Sequence, residues 1–447
     1  MELGSWALIH GPSLLGLIPL VVYIVLSFAI QDSIIIPISI ATIVGFIMSG
    51  NGAVAFGTQF GTTMGSTMGQ VGFLVMLGAG LGGVMSEVGV TKTLCKWIVK
   101  GFHIKTKKIA LIVLSLTEVI LVLFIGSGVT ATAIAAPFMI PIAALFGIHP
   151  VSMAVIMAID GFVGMLLSPF ASPNIMCMDI TGLSFTSFEL WAALPLLIVM
   201  FVASLVVIFY VEKKYTQNEN SEKYELSEEE MNYDIEVSPV AKRATIAFLI
   251  TFVLCVAYVI FFGGGMAFTF FYMFLLTLIV AGFGKYNLKS AIDTFFKTAA
   301  SQIQIFYVCV MSTIMIATVD AMGGFDALGT LFAGLVNGGS GVAFTGIFAT
   351  LVGLFGVSGI AATQQVVIDG LFGGIVQSVG MKMGMYALVL LEGSYLTVLL
   401  YPSMTHFSAL GLFRSKEMGT LLKACWAIIA VCVIFAIVYF TILGIIF

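Results

Sequence analysis

Long apolar runs fill almost the whole chain, separated by short polar stretches. Runs at 12–31, 34–50, 70–88, 191–211, 244–262, 266–283, 303–320 and 425–446 each have the length of a membrane-crossing helix. Residues 51–69, NGAVAFGTQFGTTMGSTMG, are too polar and glycine-rich to face lipid and predict an interfacial or connecting helix. Residues 284–302 alternate as an amphipathic piece with Lys285, Lys289 and Lys297. Residues 91–108 read as a basic loop and the stretch up to about 341 as a charge-poor loop. The remaining runs are interrupted from within. Runs 109–125 and 131–147 flank LFIGSGVTAT (Leu123–Thr132), and 151–167 leads into LLSPFASPN (Leu166–Asn174). Runs 342–357 and 362–378 flank LFGVSGIAAT (Leu354–Thr363), and 385–400 leads into LLYPSMTH (Leu399–His406).

These interruptions come in pairs. Placing Ser127 on Ser358 also puts Phe124 on Phe355, Gly128 on Gly359 and Thr132 on Thr363, at a constant offset of 231. Asp160-Gly161 and Glu392-Gly393 stand at matching places before the second and fourth interruptions. Upstream, at an offset of 234, Gln70 meets Gln304, Phe73 meets Tyr307 and Gly89 meets Gly323. The chain therefore reads as a duplication, 1–211 and 244–447, joined by the hydrophilic linker 212–243. Within a bilayer, duplicated halves with polar breaks in corresponding segments mark a secondary transporter whose site lies between them.

Composition fixes the class. The chain is 60% hydrophobic and 9% charged over 447 residues, with mean hydropathy +1.15. That is an all-α polytopic membrane protein; barrel-type period-2 segments are absent. The net charge of −4 says little about partners, since most charges sit in loops, and no nucleic-acid partner is expected. The six cysteines are scattered without a C-x-x-C and read as small helix residues. No basic n-region precedes 12–31, so no cleavable leader is expected. If each half crosses an odd number of times, with a hairpin that enters and leaves on one side, the halves are inverted copies. Seventeen of the 18 Lys and Arg then fall in the cytoplasm, only Lys382 lies outside, and both termini are external.

Helix ends inside a membrane leave amides and carbonyls unpaired, and such ends survive only where protein, water, an ion or a solute satisfies them. Helix N-termini offer N–H donors to an anion; carbonyls and hydroxyls offer oxygen to a small cation. The candidate solute ligands are Ser127, Gly128, Thr130, Ser172 and Asn174 in the first half. In the second they are Ser358, Gly359, Thr363, Ser403, Thr405 and His406. Asp160 and Glu392 sit in apolar helices at equivalent positions, and an ionisable group at that depth is a candidate for holding Na⁺ or exchanging a proton. Ser168, Thr132 and Asp369 join them as candidate coupling-ion residues, and Na⁺ would use the same positions. Glu118, on the leading arm of the first hairpin, is a further intramembrane acid. Each Ser or Thr also has a packing role open to it.

The order span, hairpin, broken span, with Ser/Thr-Gly tips and Pro-Asn or Pro-Ser-x-x-His breaks, resembles the ion transporter superfamily. That group holds gluconate permeases, citrate symporters, C4-dicarboxylate carriers and divalent anion–sodium symporters. SPFASPN is similar to the Pro-Asn break of the divalent-anion branch, and YPSMTH to the His-bearing break of the gluconate permeases. The Asn of the divalent-anion hairpin tip is absent here: the tips read Ser127-Gly128-Val129-Thr130 and Ser358-Gly359-Ile360-Ala361. The resemblance implies a homodimer in a bacterial-type inner membrane. It also implies a scaffold from about 12–88, 191–211, 244–320 and 425–446, and a transport domain from about 109–190 and 342–412 that moves like an elevator. The expected function is Na⁺- or H⁺-coupled transport of a small organic anion, a carboxylate, with lipid as the only other partner and no cofactor. An Na⁺/H⁺ antiporter and an amino-acid carrier are the alternatives. Metal-ligand clusters, nucleophile–base sets and nucleotide loops are absent from the sequence, so enzymatic chemistry is not expected.

Overall fold

The computed structural model describes residues 1–30, 33, 35–101, 104–218, 221–224, 237–262, 265–337, 341–356 and 361–446. These form helices throughout. Eight of the helices are long and apolar enough to cross a membrane. They are Thr67–Val88, Lys107–Ile125, Pro150–Leu167, Phe185–Thr216, Pro239–Phe262, Ile303–Ala321, Met383–Leu400 and Met418–Gly444. Shorter apolar helices cover Leu14–Ser27, Ile35–Met48, Ala267–Phe283 and Gly341–Gly353.

The element order of the first half recurs in the second. A leading hairpin arm, Lys107–Ile125, is followed by a return arm, Gly128–Leu145; downstream, Gly341–Gly353 is followed by Ala361–Ser378. A broken helix follows each: Pro150–Leu167 with Ser172–Thr181, and Met383–Leu400 with Met404–Leu412. Long helices, Phe185–Thr216 and Met418–Ile446, close the halves. The two broken-helix segments form the core, with 89% of each span buried, against 22% for Pro239–Phe262. Glycine lets the hairpins approach them. A side-chain carbon on Gly164 would lie 2.6 Å from the Val119 carbonyl oxygen and 2.7 Å from Val122 Cβ. Gly353 and Gly393 meet in the same manner in the second half, at 3.2 Å.

Several expectations are corrected. The basic loop at 91–108 is largely a helix, Val90–Gly101, because Val90 and Leu94, one turn apart, bury one face against its neighbours. The charge-poor loop before 341 contains a helix, Gly324–Asn337, held where Gly16 and Gly324 bring two backbones together and Phe325 is buried. The first run opens with a short 3₁₀ turn at Leu14–Leu17 capped by Ser13, and its α-helix covers only Ile18–Ala29. Helices of 12 and 14 residues there and at Ile35–Met48 are shorter than the ~20 residues of a full span. The linker is shorter than 212–243, since helices run to Thr216 and restart at Pro239. Glu212 is buried rather than solvated. Its carboxylate accepts from Lys107 Nζ (2.5 Å), the His149 amide (3.1 Å) and Ser152 Oγ (2.7 Å), with His149 Nδ1 at 2.8 Å. This network ties the base of the first hairpin to the end of Phe185–Thr216. The closing helices pack on each other as well as on their neighbours, Phe185–Thr216 on Pro150–Leu167 and Met418–Ile446 on Gly341–Gly353.

Gly164→Val forces a branched side chain against the Val119 carbonyl and should lower the thermal stability of the detergent-purified protein, with a cost of about 1–3 kcal/mol. Gly61→Ala, where a side-chain carbon meets nothing within 4 Å, should leave the melting temperature unchanged or slightly raised.

Candidate functional site

The first hairpin tip is a two-residue break. Gly126 ends the leading arm in the left-handed region (φ +74°), a conformation that requires glycine, and its amide donates to the Val122 carbonyl at 2.7 Å. Ser127 is extended and precedes Gly128, the first residue of the return arm. It does not cap that helix. Its Oγ is turned to Thr130 Oγ1 at 3.2 Å, so the helix starts without a side-chain cap. In the second hairpin the leading arm ends at Gly353 and the return arm begins at Ala361. Ser358 and Gly359 lie outside the described residues.

The breaks treat their two ends differently. Asn174 Nδ2 lies 2.7, 3.0 and 2.9 Å from the carbonyls of Met165, Leu166 and Ser168 and serves the frayed end of Pro150–Leu167. Its Oδ1 accepts from Tyr395 OH at 3.0 Å, which links it to the core helix of the other half. Asn174 therefore spends its amide on the break itself. Gly353 O receives Thr397 Oγ1 (2.6 Å) and Gln364 Nε2 (2.8 Å). Ser403 Oγ donates to Val398 O at 3.2 Å and lies 2.9 Å from His406 Nδ1, with the Ser403 amide also 3.3 Å from that nitrogen. Carbonyl ends thus carry side-chain donors. The N-terminus of Ser172–Thr181, like that of Gly128–Leu145, has no side-chain cap, whereas Met404–Leu412 begins with a capping box of Ser403 and His406.

A cavity of about 120 Å³ lies where these ends converge. Gly126, Ser127, Gly128 and Val129 reach it from the first tip, and Ser172 and Pro173 from the first break. Ala361 comes from the second hairpin, and Val398 and Thr405 from the second break. Val75, Gln304, Ile305 and Val308 close it from two helices outside the hairpins, and Met157, Gly161, Phe162 and Met165 from the core helix. Four helices therefore begin at its wall, with their positive ends towards it. Its lining has neither Lys nor Arg. Such a space admits a small solute, since a single water needs only ~10–15 Å³ on that measure.

Of the expected solute ligands, Ser127, Gly128, Ser172 and Thr405 line the cavity. Thr130 sits one turn behind as the partner of Ser127, and Thr363 is buried with its Oγ1 3.7 Å from Met68 Sδ. His406 Nδ1 is occupied by the Ser403 cap, while Nε2 is buried without a partner. Among the expected coupling-ion residues, Asp160 is fully buried beside Gly161, accepts from Ser204 Oγ at 2.5 Å and has Oδ2 unpartnered. Glu392 is fully buried with both oxygens unpartnered. Ser168 is fully buried at the C-terminal end of Pro150–Leu167 and accepts from the Phe170 amide at 3.4 Å. Thr132 bonds Glu118, and Asp369 is engaged by Tyr386 OH at 2.8 Å, two turns along its helix from Ala361 and away from the cavity. The site set above omitted Glu118, Gln304 and Gly161. Gln304 was visible only as the repeat mate of Gln70, and the adjacency of Glu118 to Gly161 arises between helices. The described residues contain no group of three or more His, Cys, Asp or Glu able to hold a metal ion.

Residues 2–211 match a sequence model of the Na⁺/H⁺ antiporter family. No curated protein matches the chain. Among solved structures, the YdaH transporter of Alcanivorax borkumensis, whose crystal structure is described as revealing an unusual topology, is similar with a TM-score of 0.54. The two share 14% sequence identity over 88% of this chain and 88% of that one, a likeness of fold. The chain is thus a multi-pass helical membrane protein with a transporter fold. The likenesses reach secondary transporters in general and do not single out the carboxylate-carrying branches.

Replacing Asn174 with Ala removes the side-chain donor from three carbonyls, of which Met165 and Ser168 keep backbone amides, and should cost about 1–3 kcal/mol of stability, read as a lower melting temperature whether or not a solute is present. Ser172→Ala, at the cavity wall, should leave the melting temperature within error of the parent.

Proposed function

We propose that the protein is a secondary transporter that carries a small organic anion, a carboxylate, across the membrane against its gradient, coupled to Na⁺ or H⁺. One observation supports this reading above others. Four helix N-termini meet one cavity, while the neighbouring carbonyl ends carry Asn174, Gln364, Thr397 and Ser403. The hydroxyls of Ser127, Ser172 and Thr405 and the helix starts are the polar points of an otherwise largely apolar cavity, and without a fixed counter-charge they suit a carboxylate better than a bare cation. In this reading Ser127, Ser172 and Thr405 orient the carboxylate, and the buried acids Asp160 and Glu392 hold or relay the coupling cation behind it. The halves act as inverted copies, the hairpins and broken helices slide together against the remaining helices, and the working unit is a homodimer. A bacterial-type inner membrane is the proposed location.

A second reading, Na⁺/H⁺ antiport without an organic solute, is favoured by the family match over residues 2–211 and by the proximity of Glu118 to Asp160.

Proteoliposome uptake separates them. Under an imposed Na⁺ or pH gradient, radiolabelled mono- or dicarboxylates should accumulate, and Asp160→Asn with Glu392→Gln should abolish accumulation above equilibrium while exchange persists. Na⁺-driven proton movement with no carboxylate uptake would replace the first reading with the second.

A further inference from the structure

Glu118 has no part in the coupling scheme above, although Thr132 links it to the residue that opens the return arm of the first hairpin. It is fully buried on the leading arm, with Oε1 bonded to Thr132 Oγ1 and Oε2 unpartnered. The same Thr132 Oγ1 lies 2.8 Å from the carbonyl oxygen of Gly128, the residue that opens the return arm and lines the cavity. Glu118 Oε1 is also 3.8 Å from the point where a side-chain carbon on Gly161 would stand, and Gly161 packs on Gly128.

A threonine hydroxyl has one proton and can donate it once. With Glu118 ionised, that proton goes to the carboxylate, and the Gly128 carbonyl loses its side-chain donor. With Glu118 protonated, its own O–H donates to Thr132 Oγ1, and Thr132 donates to Gly128 O. Every donor then has an acceptor. We propose that Glu118 is a proton-binding site whose occupancy is transmitted by Thr132 to the Gly128 carbonyl at the first hairpin tip. The proton comes from water and returns to it, and no other bond forms or breaks.

The surroundings leave few competitors. On Pro150–Leu167 the charged group facing Glu118 is Asp160, itself bonded to Ser204. Gly128–Leu145 carries no titratable residue. Glu87 of Thr67–Val88, Lys92 of Val90–Gly101, and Glu189, Tyr210, Glu212, Lys213, Lys214 and Tyr215 of Phe185–Thr216 lie towards the ends of their helices, and Lys96, in the middle of Val90–Gly101, is partly exposed. The device exists once: Ala349 occupies the place of Glu118 in the second half, and Thr363 turns to Met68 instead. Resting on the reading of the cavity as an anion site, the sign of coupling follows. The Gly128 carbonyl points along its own helix, so the sign comes from charge: an ionised Glu118 behind the tip repels an anion in the cavity, and the loaded state of Glu118 is the one that binds it. This is the sense required for proton–anion symport.

Two spectroscopic readouts on the full-length protein in liposomes, without any organic solute, test the proposal. Infrared difference spectra between acid and alkaline pH should show the C=O stretch of a buried protonated acid, lost in Glu118→Gln and shifted in Thr132→Val. A fluorine label on Val129→Cys, at the tip, should change its NMR signal with pH; that response should vanish in both Glu118→Gln and Thr132→Val. Persistence of the band in Glu118→Gln, or of the pH response in Thr132→Val, would overturn the proposal. Since neither readout uses a carboxylate, failed carboxylate uptake with intact spectra would count against the anion reading alone.

Discussion

An unpaired peptide group inside a bilayer is the constraint on which this structure depends. Each one left without a partner in hydrocarbon costs several kcal/mol, which is why regular helices dominate the chain and breaks are confined to places buried in protein. The first tip and the two broken helices each create two helix ends, and the chain deals with these ends unequally. The C-terminal ends receive Asn174, Thr397, Gln364 and Ser403 as donors. The N-termini of Gly128–Leu145 and Ser172–Thr181 receive no side chain. These two N-termini reach the lining of one cavity, beside that of Met404–Leu412, which Ser403 and His406 cap, so part of the field there comes from the backbone, where substitution cannot remove it.

The buried acids answer to the same rule. Asp160 is matched with Ser204, Glu118 with Thr132, and Asp369 with Tyr386. Glu392 has no such partner among its hydrogen bonds, in the same fully buried helix position that Asp160 holds in the first half. A charge without a partner in that setting is far more expensive than a neutral acid, so the two equivalent positions do not carry equivalent chemistry.

The breaks were legible in the sequence because Gly, Pro, Ser and Asn are conspicuous inside apolar runs, and because a constant offset repeats them. Leu123–Thr132 and Leu166–Asn174 fall where the helices end, at Gly126 and at Ser168. Helices whose apolar positions are spread around short polar segments were not legible. Val90–Gly101 looked like a lysine-rich loop, and Gly324–Asn337 lacked the charges that mark an amphipathic face. The direction in which a polar side chain works was also hidden. Asn174 reads as a ligand in the sequence, yet its amide faces back to its own break. Glu118 and Asp369 looked alike as single acids on hairpin arms. Only the packing of Gly128 on Gly161 places one beside the cavity and leaves the other two turns away.

The element order recurs from one half to the other while the chemistry does not. Each half presents two hairpin arms and a broken helix, and glycine contacts such as Gly128–Gly161 and Gly353–Gly393 hold both hairpins against core helices. A side-chain carbon at Gly353 would come within 3.2 Å of Gly393, whereas at Gly128 it would meet Gly161 at an ordinary 3.5 Å, so small residues keep both hairpins close. The polar positions one layer out are free of that restriction. There the halves differ: Glu118 against Ala349, Thr132 bonded to an acid against Thr363 turned to a thioether, Asp160 with a hydroxyl partner against Glu392 without one. Backbone geometry recurs where glycines meet, while titratable groups differ one layer out, so the two hairpins share a plan and not an electrostatic environment.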